Sequence, residues 1–298
     1  MQLVRYVRCD VFSDRVFGGN PLAVFTDGRA LATETMQRIA SEMNLSETVF
    51  ILPAEQGATA KIRIFTPKLE LPFAYHPTLG AAIVLSRPLQ TDQLVLETRI
   101  GAIPVHIERE GANPKAAFMT LPPPAVEPVE DPQLVLDALG LDAPSSPILR
   151  YSYGISHLVV ELADPNLVSQ LIPNLAELAY LEPVGVIVCA RTETQISSVD
   201  DLATTHVRAR VFVPGAGVPE DPATGSAVAP IALHLHRHAG GASQHRIVIS
   251  QGTELGRPST LQATVQDGPG HIRQIEVGGD CVVLGRGEWQ VPGRVSGS

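Results

Sequence analysis

The chain predicts an α+β fold built from two similar lobes, and three features carry that prediction. Short alternating apolar runs, the mark of half-buried strands, recur through both halves with few helical periods between them. A proline-rich stretch at residues 121–128 interrupts the pattern. Most tellingly, Arg63-Ile64-Phe65-Thr66-Pro67 followed by His76-Pro77-Thr78-Leu79-Gly80 returns as Arg210-Val211-Phe212-Val213-Pro214 followed by Asp221-Pro222-Ala223-Thr224-Gly225. The 298 residues are enough for two domains of ordinary size.

Taken in order, residues 1–12 alternate as an opening strand and lack the apolar stretch of a signal peptide. Met36, Ile39, Ala40 and Met43 share one face of a helix. Residues 62–65 read as a strand. The segment LPPPAVEP, with four prolines in eight residues, is stiff and extended. It places the lobes at residues 1–122 and 129–292, with 123–128 as linker and 293–298 as a disordered tail. A helix over residues 166–181 is interrupted by Pro173, and strands follow at residues 184–189, 207–213, 246–249 and 281–284. Pro230 falls within a further predicted helix and should kink it.

Composition narrows the function. With 22 basic and 31 acidic residues the net charge is −9, and no basic run or aromatic-interleaved basic stripe occurs, so nucleic acid is not an expected partner. No apolar run is long enough to cross a bilayer, so no membrane role is expected. Cys9, Cys189 and Cys281 are isolated and odd in number, which points to a reducing compartment, the cytoplasm, and away from a disulfide scaffold or zinc site. His234, His236 and His238 lack a further ligand at obvious spacing and read as part of a helix rather than a metal site. Gly18-Gly19-Asn20 is not a dinucleotide fingerprint.

The repeat directs attention to its loops, since corresponding loops of duplicated lobes commonly border a ligand. Each copy reads as strand, loop and a helix beginning with proline, which loses no hydrogen bond at the first helical position. The remaining first-turn N–H groups and the dipole's positive end suit an anion, and Thr224, Gly225 and Ser226 are small enough to let one approach. Two such helix starts would hold a carboxylate without lysine or arginine. Asp221 reads equally as a helix N-cap or as a functional carboxylate, and His76 as a satisfied loop histidine or a catalytic one. Glu47, in Asn44-Leu45-Ser46-Glu47-Thr48-Val49-Phe50, leads into an apolar strand, where partial desolvation would fit it for proton transfer. Its other reading is a solvated strand end.

The segments DVFSDRVFGGNPLAVF, NLSETVF, IRIFTPKLELPFAYHPTLG, EDPATGSA and QGTELGRPS resemble, in order and across almost the whole chain, the signature segments of the PhzF-like phenazine-biosynthesis family. That resemblance implies a diaminopimelate-epimerase type of fold, in which each lobe is a curved, mostly antiparallel sheet wrapped around a central helix. It also implies a cofactor-independent isomerase, typically acting on trans-2,3-dihydro-3-hydroxyanthranilate, and a homodimer. Glu47 would be the proton-transferring acid/base, with His76, Asp221 and Ser226 orienting and polarising a small carboxylate metabolite. Asn20, Tyr75, Pro77, Thr78, Thr224 and Gly225 would line its binding site.

One departure stands out. The family usually has glycine before the histidine, where this chain has Tyr75, whose ring either enters the pocket and changes the substrate or turns outward. Two alternatives keep the fold: action on another small acid, or a non-catalytic metabolite-binding or interaction protein. A two-cysteine racemase is not expected, because none of the cysteines lies in the repeated loops. QGTELGRPS reads as a packing turn or as a border of the cleft.

Overall fold

The computed structural model describes residues 1–55, 57–181, 184–197, 202–237, 243–269 and 271–292. Two compact units emerge, one formed by Met1–Thr120 with the chain from Gly278 onward, the other by Leu121–Val277. The end of the chain therefore departs from the predicted division at residues 129–292, because the last strand returns to the first unit. The predicted tail, residues 293–298, lies outside the described residues.

The first unit comprises β1 (Gln2–Val11), β2 (Asn20–Phe25), α1 (Thr33–Met43), β3 (Glu47–Leu52), β4 (Ala60–Phe65), β5 (Glu70–Leu71), α2 (Tyr75–Leu89), β6 (Gln93–Thr98), β7 (Gly101–Glu110) and β8 (Asn113–Leu121). Antiparallel pairs join β1 to β2, β3 to β4, β6 to β7 and β7 to β8, while β2–β3 and β4–β6 are parallel. Helix α2 packs against β1, β2, β3, β4, β6 and β7. It is buried from Tyr75 to Ile83, apolar nearly all round, as a helix enclosed by sheet must be. Gly80 packs tightly here, since an added Cβ would overlap a Leu22 methyl carbon and displace it. Amphipathic α1 covers the opposite face of the sheet, burying Met36 and Ile39 against Phe25, Phe50 and Phe65. Phe25 stacks on Phe50 at 5.0 Å, and Phe50 meets Phe65 edge-on at 5.5 Å.

The second unit repeats the scheme with β9 (Ala125–Pro128), α3 (Pro132–Leu139), β10 (Leu149–Tyr153), β11 (Ile155–Leu162), α4 (Pro165–Gln170), α5 (Leu175–Tyr180), β12 (Val184–Ser197), β13 (Leu202–Val213), β14 (Val218–Asp221), α6 (Gly225–Arg237), β15 (Gln244–Gln251) and β16 (Ser259–Gly268). The proline-rich segment is thus strand at both ends, β8 up to Leu121 and β9 paired with β10. Strand β11 runs parallel to β12, the connection being the predicted helix split at Pro173 into α4 and α5, capped by Asp164 and Asn174. Strands β12 and β13 are antiparallel, β13 and β15 parallel. Helix α6 is the buried counterpart of α2, with Pro230 inside it.

The final strand, β17 (His271–Val291), pairs antiparallel with β1 from Gln2 opposite Val291 to Val11 opposite Cys281. Cys9, Cys189 and Cys281 are buried, free thiols. No described helix is long and apolar enough to cross a membrane.

Candidate active site

The repeat is real, but its register differs from the one the sequence match implies. Arg63 grips Glu70 through two hydrogen bonds of 2.8 and 2.7 Å, and Arg210 grips Glu220 through two of 2.9 Å. Each guanidinium lies over the phenylalanine two residues on, 5.1 Å from the Phe65 ring and 5.0 Å from that of Phe212. Glu70 and Glu220 are therefore equivalent. Helices α2 and α6 begin the same distance beyond them, at Tyr75 and Gly225. His76 thus corresponds to Ser226, and Asp221 corresponds to Leu71. The resemblance of His-Pro to Asp-Pro pairs the wrong residues. It also misplaces the prolines, since Pro77 is the third residue of α2 and Pro222 precedes α6.

In the first unit the parallel β2–β3 pair, linked through α1, brings Glu47 to the start of β3, and α2 offers His76 in its first turn. Glu47 Oε2 lies 3.0 Å from His76 Nε2, with side-chain exposures of 16% and 7%. The two atoms are close yet not aligned as a hydrogen bond, and neither makes another among the described residues. A largely buried carboxylate with open acceptor capacity beside an imidazole is equipped to take a proton from carbon and give it back.

In the second unit, Asp221 ends β14 and accepts a 2.7 Å hydrogen bond from Thr224 Oγ1. The loop is clamped by Gln251, the first residue of QGTELGRPS. Its amide donates to Asp221 O (2.7 Å) and Thr224 Oγ1 (3.0 Å) and accepts from Thr224 N (3.2 Å). Gly252 has φ +78°, and a Cβ there would overlap the carbonyl oxygens of Pro222 and Arg257. QGTELGRPS is thus a packing turn that braces the Asp221 loop. Gly252→Ala should lower stability by about 2–4 kcal/mol, from left-handed strain plus overlap with backbone that cannot rotate away. Urea unfolding would measure it, and a loss below about 0.5 kcal/mol would refute the bracing role.

Ser226, in the first turn of α6, is hydrogen-bonded at 2.9 Å to His157 Nε2, a residue the sequence did not single out. Burial pushes the His157 pKa down to about 4, so its imidazole is neutral near pH 7.

The other expected binding residues differ in what they can offer. Tyr75 is buried, its ring 5.0 Å from that of Phe73, so it does not turn out to solvent. Thr78 is fully buried and donates its hydroxyl proton to Ala74 O at 2.7 Å. Pro77 is buried within α2, and Asn20 is buried at the start of β2. Thr224 and Gly225 sit beside Asp221 and Ser226 as expected. His234 is engaged by Ser146 (2.8 Å) and Tyr151 (2.9 Å), and His236 by Asp267 (2.9 Å). His238 lies outside the described residues, among which no metal-binding cluster occurs.

Residues 9–287 match the PhzC–PhzF family, described as phenazine biosynthesis-like protein. The trans-2,3-dihydro-3-hydroxyanthranilate isomerases of Pseudomonas aeruginosa and Pseudomonas chlororaphis are 41% and 39% identical to the chain, each match covering 95% of it and 98% of the relative. The crystal structure of the Bacillus anthracis phenazine biosynthesis protein, PhzF family, superposes with a TM-score of 0.83 at 22% identity, covering 98% of this chain and 100% of that one, a likeness of fold. A match of this extent makes the chain a member of the phenazine biosynthesis-like family.

Proposed function

We propose that this protein is an isomerase that moves a proton between ring carbons of a small cyclic carboxylate, and that its substrate is trans-2,3-dihydro-3-hydroxyanthranilate. The observation that carries the chemistry is the Glu47 carboxylate set 3.0 Å from His76 at the head of a buried helix. The substrate assignment is supported by the Pseudomonas relatives, which are named for that isomerisation. Glu47 removes a proton from one ring carbon and returns it to another, leaving an enol that tautomerises to a ketone. A single carboxylate serves both steps if it reaches both carbons. His76 polarises the substrate beside it. Asp221 and Ser226 orient it, and the backbone N–H groups near Gly225 hold its carboxylate. On this reading the protein acts as a homodimer in the cytoplasm, where its unpaired thiols stay reduced.

Incubation with trans-2,3-dihydro-3-hydroxyanthranilate in D₂O, followed by ultraviolet absorption and proton NMR, tests the proposal. Loss of substrate with deuterium entering a ring carbon is the expected result. An unchanged substrate would reject the assignment. Tight binding without turnover would instead favour a metabolite-binding protein, and Tyr75, buried where the second unit has Gly225, would be the first residue to change.

A further inference from the structure

The two units can be aligned through the strand registers of β3–β4 and β12–β13. In the first, Phe65 lies opposite Thr48, and in the second, Phe212 lies opposite Val186. With Phe65 and Phe212 equivalent, the residue before Thr48 matches the residue before Val186: Glu47 corresponds to Gly185. Their partners on the neighbouring parallel strand are Leu22 and His157. Where the first unit has the acid beside Leu22, the second has Gly185 beside the imidazole of His157. A Cβ at Gly185 would overlap the His157 ring, so the missing side chain is what admits it.

We propose that His157 is a positioning residue that donates from Nε2 to Ser226 Oγ, so that the serine presents its own hydroxyl proton to the substrate. This rests on the reading above that Ser226 contacts the substrate. The ring is 1% exposed, and its Nε2 lies 2.9 Å from Ser226 Oγ. Its Nδ1 is buried and has no hydrogen-bond partner among the described residues. A neutral imidazole carries one N–H, and a buried N–H left without an acceptor is rarer and costlier than an idle lone pair. The proton therefore sits on Nε2, where it is used. With no lone pair free on that nitrogen, His157 cannot deprotonate the serine, so the pair is an anchor and not a nucleophile.

Imidazole ¹⁵N shifts of His157 in the unliganded protein at pH 7 test the tautomer. Nε2 should be protonated and Nδ1 unprotonated, and the reverse would overturn the proposal. In kinetics, Ser226→Ala and His157→Leu should each lower kcat/KM about tenfold, the worth of one hydrogen bond, and the double variant should be no worse than Ser226→Ala. Multiplying losses would show that His157 acts independently of the serine and would sink the idea. His157→Gln, which keeps a donor near Nε2, should recover most of the activity, and Gly185→Ala, which displaces the ring, should mimic His157→Leu. If the wild-type protein does not turn over this substrate, the functional reading fails, while the ¹⁵N measurement still decides the tautomer.

Discussion

Glu47→Gln should lower kcat by about 10²–10⁴-fold while leaving KM and the unfolding midpoint close to wild type. The amide is nearly the same size and shape as the carboxyl group, so the start of β3 and the first turn of α2 keep their packing. What it lacks is a basic oxygen able to accept a proton from carbon and hand it back. Because the side chain is only 16% exposed, bulk water cannot readily substitute as the base. Deuterium incorporation into recovered substrate gives an independent reading, since a variant that binds without abstracting a proton incorporates none. Turnover within about threefold of wild type would remove Glu47 from the reaction and leave His76 as the remaining candidate base of the first unit. A matched loss of kcat and stability would show that the residue is structural.

Arg210→Met is expected to destabilise the second unit by about 3–5 kcal/mol, the typical consequence of stranding one partner of a buried ion pair. Arg210 and Glu220 have side-chain exposures of 9% and 12%. The same guanidinium also donates to Leu171 O at 2.6 Å and Val168 O at 3.3 Å, so its loss leaves a carboxylate and two carbonyls short of donors. Arg63→Met should cost less, because that pair is more exposed, at 19% and 15%, and Arg99 stays within 3.6 Å of Glu70. Replacing both members, Arg210→Met with Glu220→Leu, should recover much of the loss by removing the stranded charge. Urea unfolding of the three variants checks the ranking. Equal losses for Arg63→Met and Arg210→Met would contradict the account of burial.

These ion pairs also show where the sequence informs and where it misleads. Strands β4, β12, β13, β15 and β17 are visible as short apolar runs, and α1 as one apolar face, because each pattern is local. Helices α2 and α6 are enclosed on all sides, so neither shows a polar face by which to fix its first residue. Both arginines and both phenylalanines of the repeat are plain to see. Glu70 and Glu220 are just as plain, but their equivalence appears only once the hairpins close, and the likeness of His-Pro to Asp-Pro drew the alignment elsewhere. Glu47 stands out at a helix-to-strand junction, a local signal, but the residues alone leave it equally a solvated strand end, and its role comes from the family resemblance. His157 was hidden, since its partner Ser226 lies 69 residues away and no periodicity marks it. Gln251 opens the singled-out segment QGTELGRPS, but its partner Thr224, 27 residues away, was not legible. The return of β17 to the first unit was hidden for the same reason, its partner β1 being the opening strand of the chain.

The buried thiols give the protein a built-in clock. Cys9 and Cys281 belong to the first unit and Cys189 to the second, and each is shielded in the native state. A thiol reagent needs the thiolate, and burial holds the Cys189 thiol protonated, so Cys189 of the folded protein is refractory to labelling. Modification of Cys9 and Cys189, both fully enclosed, must therefore wait for the unit around each to open, whereas Cys281, 7% exposed, borders a cavity. Pulse labelling followed by peptide mapping separates the opening rates of the two duplicated halves within one molecule, and shows which half the other outlives.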